Sequence, residues 1–394
     1  MPELSLVAVR TERTSLLAAN TIPAGMKIKF REGNHAGFYR ELKRRVNAYF
    51  ADTGTTRFAD RRVWWKAAFF AGVVAVSYAL ILSNQFGPWE LLLLANLFGI
   101  GALMLGVNVA HDAAHDALTP HPWVNRIVQT VIFTLLGANA YLWRLRHVKS
   151  HHTFPNVNGC DIDIDHNAFL RLSPNHRRRW YHRFQHLYAP FIFWLVDVHT
   201  VFYQDVVYLF KRRLANMVDI RHPPHEYAMF VACKAAYLAT VVGIPMLVLD
   251  LPWWLVLLGA ATMSFVASVA FVTLLIGTHF AEEAAFPPID CDGYIAHDWA
   301  EHALVTSVDW SPESKVALFI AGGANCHAAH HLFPTVCHIH YIAITRIIVR
   351  TAAEFGLRYN RTTLPRLVRS HFRFLRAMGR PPARGASLGS PALT

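Results

Sequence analysis

Long uncharged apolar runs occur in this chain as two pairs. A helix that crosses a bilayer needs about 17 to 25 predominantly apolar residues. Ala67 to Trp89 is one such run, broken by Ser-Asn-Gln-Phe-Gly-Pro at 83–88, and Leu91 to Ala110 follows it. Ala228 to Leu249 is a third, interrupted only by Lys234, and Leu251 to Thr278 is a fourth, entered through Asp250-Leu251-Pro252. The pattern predicts two helical hairpins with very short turns, and no internal repeat is evident. Two further stretches are ambiguous. Ile127 to Trp143 is uncharged, and Phe191 to Phe210 contains Asp197, His199 and Asp205. Both read as interfacial or partly buried helices, which an amphipathic composition permits; the competing reading is a six-span protein.

Charge orients the hairpins. Residues 1–66 carry Lys27, Lys29, Arg31, Arg40, Lys43, Arg44, Arg45, Arg61, Arg62 and Lys66, whereas the two hairpin turns carry no Lys or Arg. The positive-inside rule therefore expects both termini in the cytoplasm and the turns outside. Hydrophobic residues make up 54% of the chain, too many for an ordinary soluble protein of this size. The net charge of +12 would suit nucleic acid or anionic lipid. The basic residues flank apolar runs, which favours lipid and argues against nucleic acid. The five cysteines are scattered and imply no disulfide framework. No basic stretch followed by an apolar core marks a signal peptide at the N-terminus.

Nine histidines then stand out. They form the clusters His111-Asp-Ala-Ala-His115, His147-Val-Lys-Ser-His151-His152 and His327-Ala-Ala-His330-His331, with His279 apart. Residues three or four apart share a helix face, so each cluster aims several ring nitrogens at one point. His111 lies just past the second apolar run and His279 just past the fourth, so membrane geometry brings both to one face. Imidazole suits zinc, copper, iron and nickel. A zinc hydrolase uses three or four protein ligands, and nine are too many for one zinc. A pair of irons with positions left open for dioxygen uses such a set well. An unactivated C–H bond in a lipid chain also needs dioxygen activated at a cofactor, since acid–base chemistry cannot break it.

Carboxylates flank the clusters. Asp112 and Asp116 bracket the first, and Asp161, Asp163 and Asp165 follow the second. Metal-bound histidine commonly donates its second N–H to a carboxylate, which makes Asp112, Asp116, Asp161 and Asp165 candidate supports; the alternative is a solvated acidic surface. Asn325 is a candidate to hold a bound water or a simple loop asparagine. The stretch Asn175 to His186, rich in Arg, Trp and Tyr, reads as a membrane-surface anchor or as a grip on the phosphates of an acyl carrier. His199 reads as a buried pair with Asp197 rather than a ligand.

These residues resemble the membrane fatty acid desaturases of the three-histidine-box group. HDAAHDAL is similar to the family's first box, RHVKSHHTFPNVNGCDIDID to the second, and GGANCHAAHHLFPTVCHIHY to the third. QHLYAP at 185–190 and FYRELKRRVNAYF at 38–50 also match family segments. The likeness runs from about residue 26 to about 350. It implies an all-α integral membrane protein, with four transmembrane helices in two hairpins beneath a cytoplasmic helical cap that holds a di-iron site. Box by box, the implied ligands are His111, His115, His147, His151, His152, His327, His330 and His331, with His279 at the position of an extra ligand. The third box opens with His327 where front-end members usually have Gln, and no fused haem domain is present.

The expected reaction is dioxygen-dependent removal of two hydrogens from a fatty acyl chain. The acyl group would ride on coenzyme A, carrier protein or phospholipid, and electrons would come from an external ferredoxin or small cytochrome and its reductase. The same centre could serve a hydroxylase, acetylenase or ketolase. A histidine-rich metal transporter is a more distant rival, disfavoured because transporters often show repeated halves and place polar groups within their spans. The expected organisation is a flexible 1–25, a desaturase domain at 26–350, a basic cytoplasmic segment at 351–378 and a disordered tail at 379–394.

Overall fold

The structure, a computed structural model, describes residues 26–32, 35, 37–165 and 169–381. The expected flexible ends at 1–25 and from 382 onward lie outside the described residues. In chain order the helices that shape the molecule are α1 (Phe38–Thr53), α2 (Arg61–Leu82), α3 (Pro88–Ala114), α4 (Pro122–Leu135), α5 (Ala140–Arg144), α6 (Gln185–Phe193), α7 (Val196–His199), α8 (Asp205–Phe210), α9 (Pro224–Val248), α10 (Trp253–Thr278), α11 (Trp299–Val305), α12 (Lys315–Ala321), α13 (His327–Leu332), α14 (Tyr341–Glu354) and α15 (Leu364–Met378). Two small parallel strand pairs join distant segments, Lys29–Phe30 with Tyr294–Ile295 and Asp309–Trp310 with Arg361–Thr362.

Four helices, α2, α3, α9 and α10, are long and apolar enough to cross a membrane. Their ends differ from those of the apolar runs. Helix α2 starts at Arg61, ahead of the run, because Asp60 caps it by accepting the Arg62 N–H at 2.8 Å. It stops at Leu82, and the turn to Pro88 contains Asn84 in the left-handed region. Asn84 donates to the Asp250 carboxylate at 2.6 Å and accepts the Asp250 N–H at 3.1 Å, which ties the two hairpin turns together. Helix α3 continues through Ala114, so His111 sits inside its last turn and not past its end. Small residues let the spans approach: a methyl group at Gly99 would strike Met263 of α10, and one at Gly101 would meet Val74 of α2.

Exposed tryptophans sit near the span ends, with Trp64 and Trp65 early in α2, Trp89 at the start of α3, and Trp253 and Trp254 at the start of α10. Trp65 and Leu82 are 17 residues apart, about 26 Å along a helix, close to the hydrocarbon thickness of about 30 Å.

The two ambiguous stretches do not span. Ile127 to Trp143 breaks at Gly137, whose φ is 70°, so α4 ends and α5 turns back. Trp123, Ile127 and Val131, one helical turn apart, are exposed on the outer face of α4. Phe191 to Phe210 divides into the end of α6, α7, a π-helical stretch at Thr200–Gln204 and α8. Lys234, well inside α9, holds both stretches: its ammonium donates to the carbonyls of Gly137 and Val201, each at 2.6 Å, and to Asp205 at 2.8 Å. The expected Asp197–His199 pair is not formed. Residues two apart face different ways on a helix, and the Asp197 carboxylate accepts the Ser264 hydroxyl of α10 at 2.7 Å while His199 packs on Tyr203.

Candidate metal centre

The nine histidines converge at the end of the spans where α3 and α10 finish. The first pair is delivered by α3. Its last turns include a π-helical stretch at Gly106–Ala110, within which Asn108 donates back to the Met104 carbonyl at 2.9 Å; such bulges recur at functional sites. The second cluster rides on another π-helical stretch, Leu145–His151, which continues α5. There the His152 N–H bonds to the His147 carbonyl, five residues back, at 3.0 Å. In a π-helix the hydrogen-bonded ring closes one residue later than in an α-helix. Positions five apart therefore meet, and the Nε2 atoms of His147 and His152 lie 3.1 Å apart.

The third cluster occupies α13, only six residues long. Its own N-cap residue, Cys326, provides no side-chain cap. Asp309 does so from the strand pair: one carboxylate oxygen accepts the Ala328 N–H at 2.8 Å and the other accepts the Tyr359 hydroxyl at 2.6 Å. His279 follows the 3-10 turn that closes α10.

Two fourfold groups result. His111, His115, His147 and His330 form one, and His151, His279, His327 and His331 form the other, with each group's ligand atoms all within 4.8 Å of one another. His152 stands between them, its ring centroid 4.4 Å from those of both His330 and His331. In the second group, His279 Nε2 lies 2.7 Å from His327 Nε2, 3.0 Å from His331 Nε2 and 3.0 Å from His151 Nε2.

Burial and the neighbouring rings hold His115, His147, His152, His279, His330 and His331 well below the ordinary imidazole value, and burial holds His327 at about 3. Burial also acts on His151, but the Asp161 carboxylate overrides it and raises that ring. The donor set is thus a cage of mainly neutral imidazoles whose nitrogens face one another. One ring nitrogen of a neutral imidazole is an acceptor that needs a partner. Among the described residues His115 Nε2 and His330 Nε2 are buried without one. Nitrogens at about 2.1 Å from one ion and at right angles to each other lie about 3 Å apart, which is the separation seen in the second group. The residues present fit two nitrogen-bound cations of the kind imidazole prefers.

Supporting contacts obey their own geometry. Asp161 accepts from His151 Nδ1 at 3.0 Å. The Thr306 carbonyl accepts from His279 Nδ1 at 2.9 Å, and the Tyr341 hydroxyl lies 3.3 Å from His330 Nδ1. Trp143 stacks on His147 with ring centroids 4.3 Å apart. Asp112 turns away from the nine: one residue on from His111 it points round the helix, and its carboxylate takes His338 Nδ1 at 2.7 Å and Cys337 Sγ at 2.9 Å. Asp116 meets Arg144 and Asn125, each at 3.4 Å, and touches none of the nine rings by hydrogen bond. Asn325 is fully buried, with its amide nitrogen 3.4 Å from the Ser311 carbonyl and its side-chain oxygen without a partner among the described residues. The side chain of Asp165 lies outside the described residues. Sequence reasoning assigned no role to Thr306, whose backbone acts, Asp309, Tyr341 or His338; the last two lay inside the third motif already singled out, and the first two outside any motif.

Comparison with known proteins bears on this site. A sequence profile of the family described as fatty acid desaturase matches residues 87–363. The chain is 31% identical over 332 residues to an sn-1 linoleoyl-lipid 6-desaturase of Arthrospira platensis, covering 83% of this chain and 88% of that protein. It is 30% identical over 364 residues to an enzyme of the same name from Synechocystis sp., covering 90% and 98%. An acyl-lipid (8-3)-desaturase of Mortierella alpina is 30% identical over 355 residues, covering 88% and 78%.

Proposed function

The chain belongs to the fatty acid desaturase family, and from that premise we propose that its nine clustered histidines hold two irons that desaturate an acyl chain carried on a membrane lipid. The observation that carries this reading is the division of eight of those rings into two sets of four buried imidazoles, with the ninth between them. It accords with the lipid named as the acyl carrier of the relatives. Two irons bound there would supply the oxidising power by which dioxygen, two electrons and two protons take one hydrogen from each of two adjacent methylenes, leaving a double bond and two waters.

The chain's own residues position and insulate. Asp161 and the Thr306 carbonyl fix which nitrogen of His151 and His279 faces the centre. Trp143 backs His147 and limits its rotation. The shell of buried residues keeps bulk water from the rings, and orientation of the chain governs which bond reacts. Electrons come from a separate ferredoxin or small cytochrome. The metal end faces the cytoplasm by the distribution of basic residues, and residues 26–350 form the catalytic domain, with 351–378 a basic segment beside it.

Expression in a host of known lipid composition, with an electron donor, is expected to yield a new unsaturated acyl chain, located by mass spectrometry. Purified anaerobically, the protein is expected to hold two irons per chain. His327→Ala is expected to abolish the product and lower the iron content. An unchanged lipid profile with iron bound and donor active would overturn the assignment.

A further inference from the structure

Helix α15 has two faces of opposite character. Leu367, Ser370, His371, Phe374 and Leu375 are buried, whereas Arg366, Arg369, Arg373 and Arg376, and Arg380 just past the helix end, are exposed. Among the described residues only Arg373 of these five has a carboxylate partner, Glu282 at 3.9 Å. The helix lies antiparallel to α6: Gln185 Nε2 donates to the Leu375 carbonyl at 2.7 Å, and eight residues on, the Phe193 ring packs 5.6 Å from that of His371. Between α6, α15 and the end of α10 is an apolar cavity of about 150 Å³, walled by Pro190, Trp194, Thr273, Ile276, Val368 and Phe372 among others.

The two ends of this groove differ. At one end Leu367 packs on Gly277, two residues before His279. At the other, Gly379 sits against the backbone of His182 and Arg183, Arg178 reaches the Gly379 carbonyl at 3.4 Å, and His186 lies in the field of Arg376 and Arg380. At about 100° per residue, Arg369 and Arg376 follow the cavity-lining Val368 and Phe372 round α15. One side is open at an apolar surface, since Trp194 both lines the cavity and is 45% exposed, and Leu187 and Phe191 of α6 are exposed as well.

We propose that this groove admits an acyl chain of a membrane phospholipid from the side, with the phosphate held by Arg183, Arg376 and Arg380 and the chain directed toward His279. The inference rests on the desaturase reading for the reaction that the admitted chain undergoes, but the site stands on its own geometry. Arginine matches phosphate with a forked set of donors, and an apolar channel accepts methylenes at no cost in unpaired polar groups. The groove thus selects a carrier embedded in the leaflet.

The test uses the full-length protein in nanodiscs containing phosphatidylglycerol with a photoreactive diazirine in one acyl chain. Labelling is expected within 190–194 and 367–372, and a diazirine diacylglycerol, which lacks the phosphate, is expected to label about tenfold less. The triple change Arg183→Gln, Arg376→Gln and Arg380→Gln is expected to erase that preference, and Val368→Trp to block labelling by filling the cavity, both with unchanged iron content. Equal labelling by the neutral probe, labelling confined to other segments, or displacement by acyl-CoA but not by unlabelled phosphatidylglycerol would each overturn the proposal. Groove labelling in a preparation that holds iron and donor yet desaturates nothing would support the groove and sink the desaturase reading alone.

Discussion

At the scale of single residues, the function of each histidine depends on what its second nitrogen meets. His151 is the clearest case, because its Nδ1 faces the buried Asp161 carboxylate while its Nε2 faces His279. Asp161 is itself held by the N–H groups of Asn156 and Asp163, each at 2.9 Å, so it cannot swing away. Replacing it with Asn removes the charge and keeps the size. Asp161→Asn is expected to weaken iron retention by about 10- to 100-fold, read as iron left per chain against a graded chelator. Asp112 was an equally good candidate by its position in the chain, yet it serves His338 and Cys337. Adjacency to a clustered histidine does not set direction, because neighbours on a helix point about 100° apart.

At the scale of elements, short pieces of irregular helix do what regular helices could not. A regular α-helix would place His147 and His152 on different faces, and the π-helical stretch at 145–151 brings them together. Helix α13 is too short to hold its three histidines by its own hydrogen bonds, and Asp309 secures its start. Asp309→Ala is expected to cost about 1 kcal/mol of stability and to lower iron occupancy, while Asp309→Asn keeps an acceptor and most of both; thermal unfolding and metal analysis separate the two variants. Lys234 is the other point where one residue governs elements, since it joins α9 to the loop before α5 and to the stretch around α8. Lys234→Met leaves the Asp205 carboxylate buried without its cation, at a cost of about 3 to 5 kcal/mol. Adding Asp205→Asn is expected to restore much of the loss in a thermal melt of the detergent-solubilised protein.

At the scale of the whole molecule, the spans form a scaffold whose two ends differ in charge and chemistry. The orientation is directly testable, because Cys291 is exposed beside Ile289 and Ile295, which pack on Phe154 and Val157 just after the second histidine cluster, while Cys160, Cys326 and Cys337 are buried. A membrane-impermeant maleimide is expected to label Cys291 in inside-out vesicles and not in intact spheroplasts, and a Gln85→Cys probe in the outer turn of a Cys291→Ser background is expected to show the opposite; reversed labelling would invert the topology. The four spans were legible because bilayer thickness and the absence of water impose a long apolar run on any crossing helix. The nine histidines were legible because few side chains other than imidazole recur at such spacing where ring nitrogens must converge. What the chain alone could not tell was how those donors divide into two sets, that α2 begins at an aspartate cap ahead of its apolar run, or that Asp309 and Thr306, far along the chain from the rings they steady, complete the site. Composition and periodicity are properties of neighbours in sequence and are written into the chain itself. The pairing of His279 with His151 and His327, 128 and 48 residues away, is fixed only when helices pack and ring nitrogens must find partners out of reach of water.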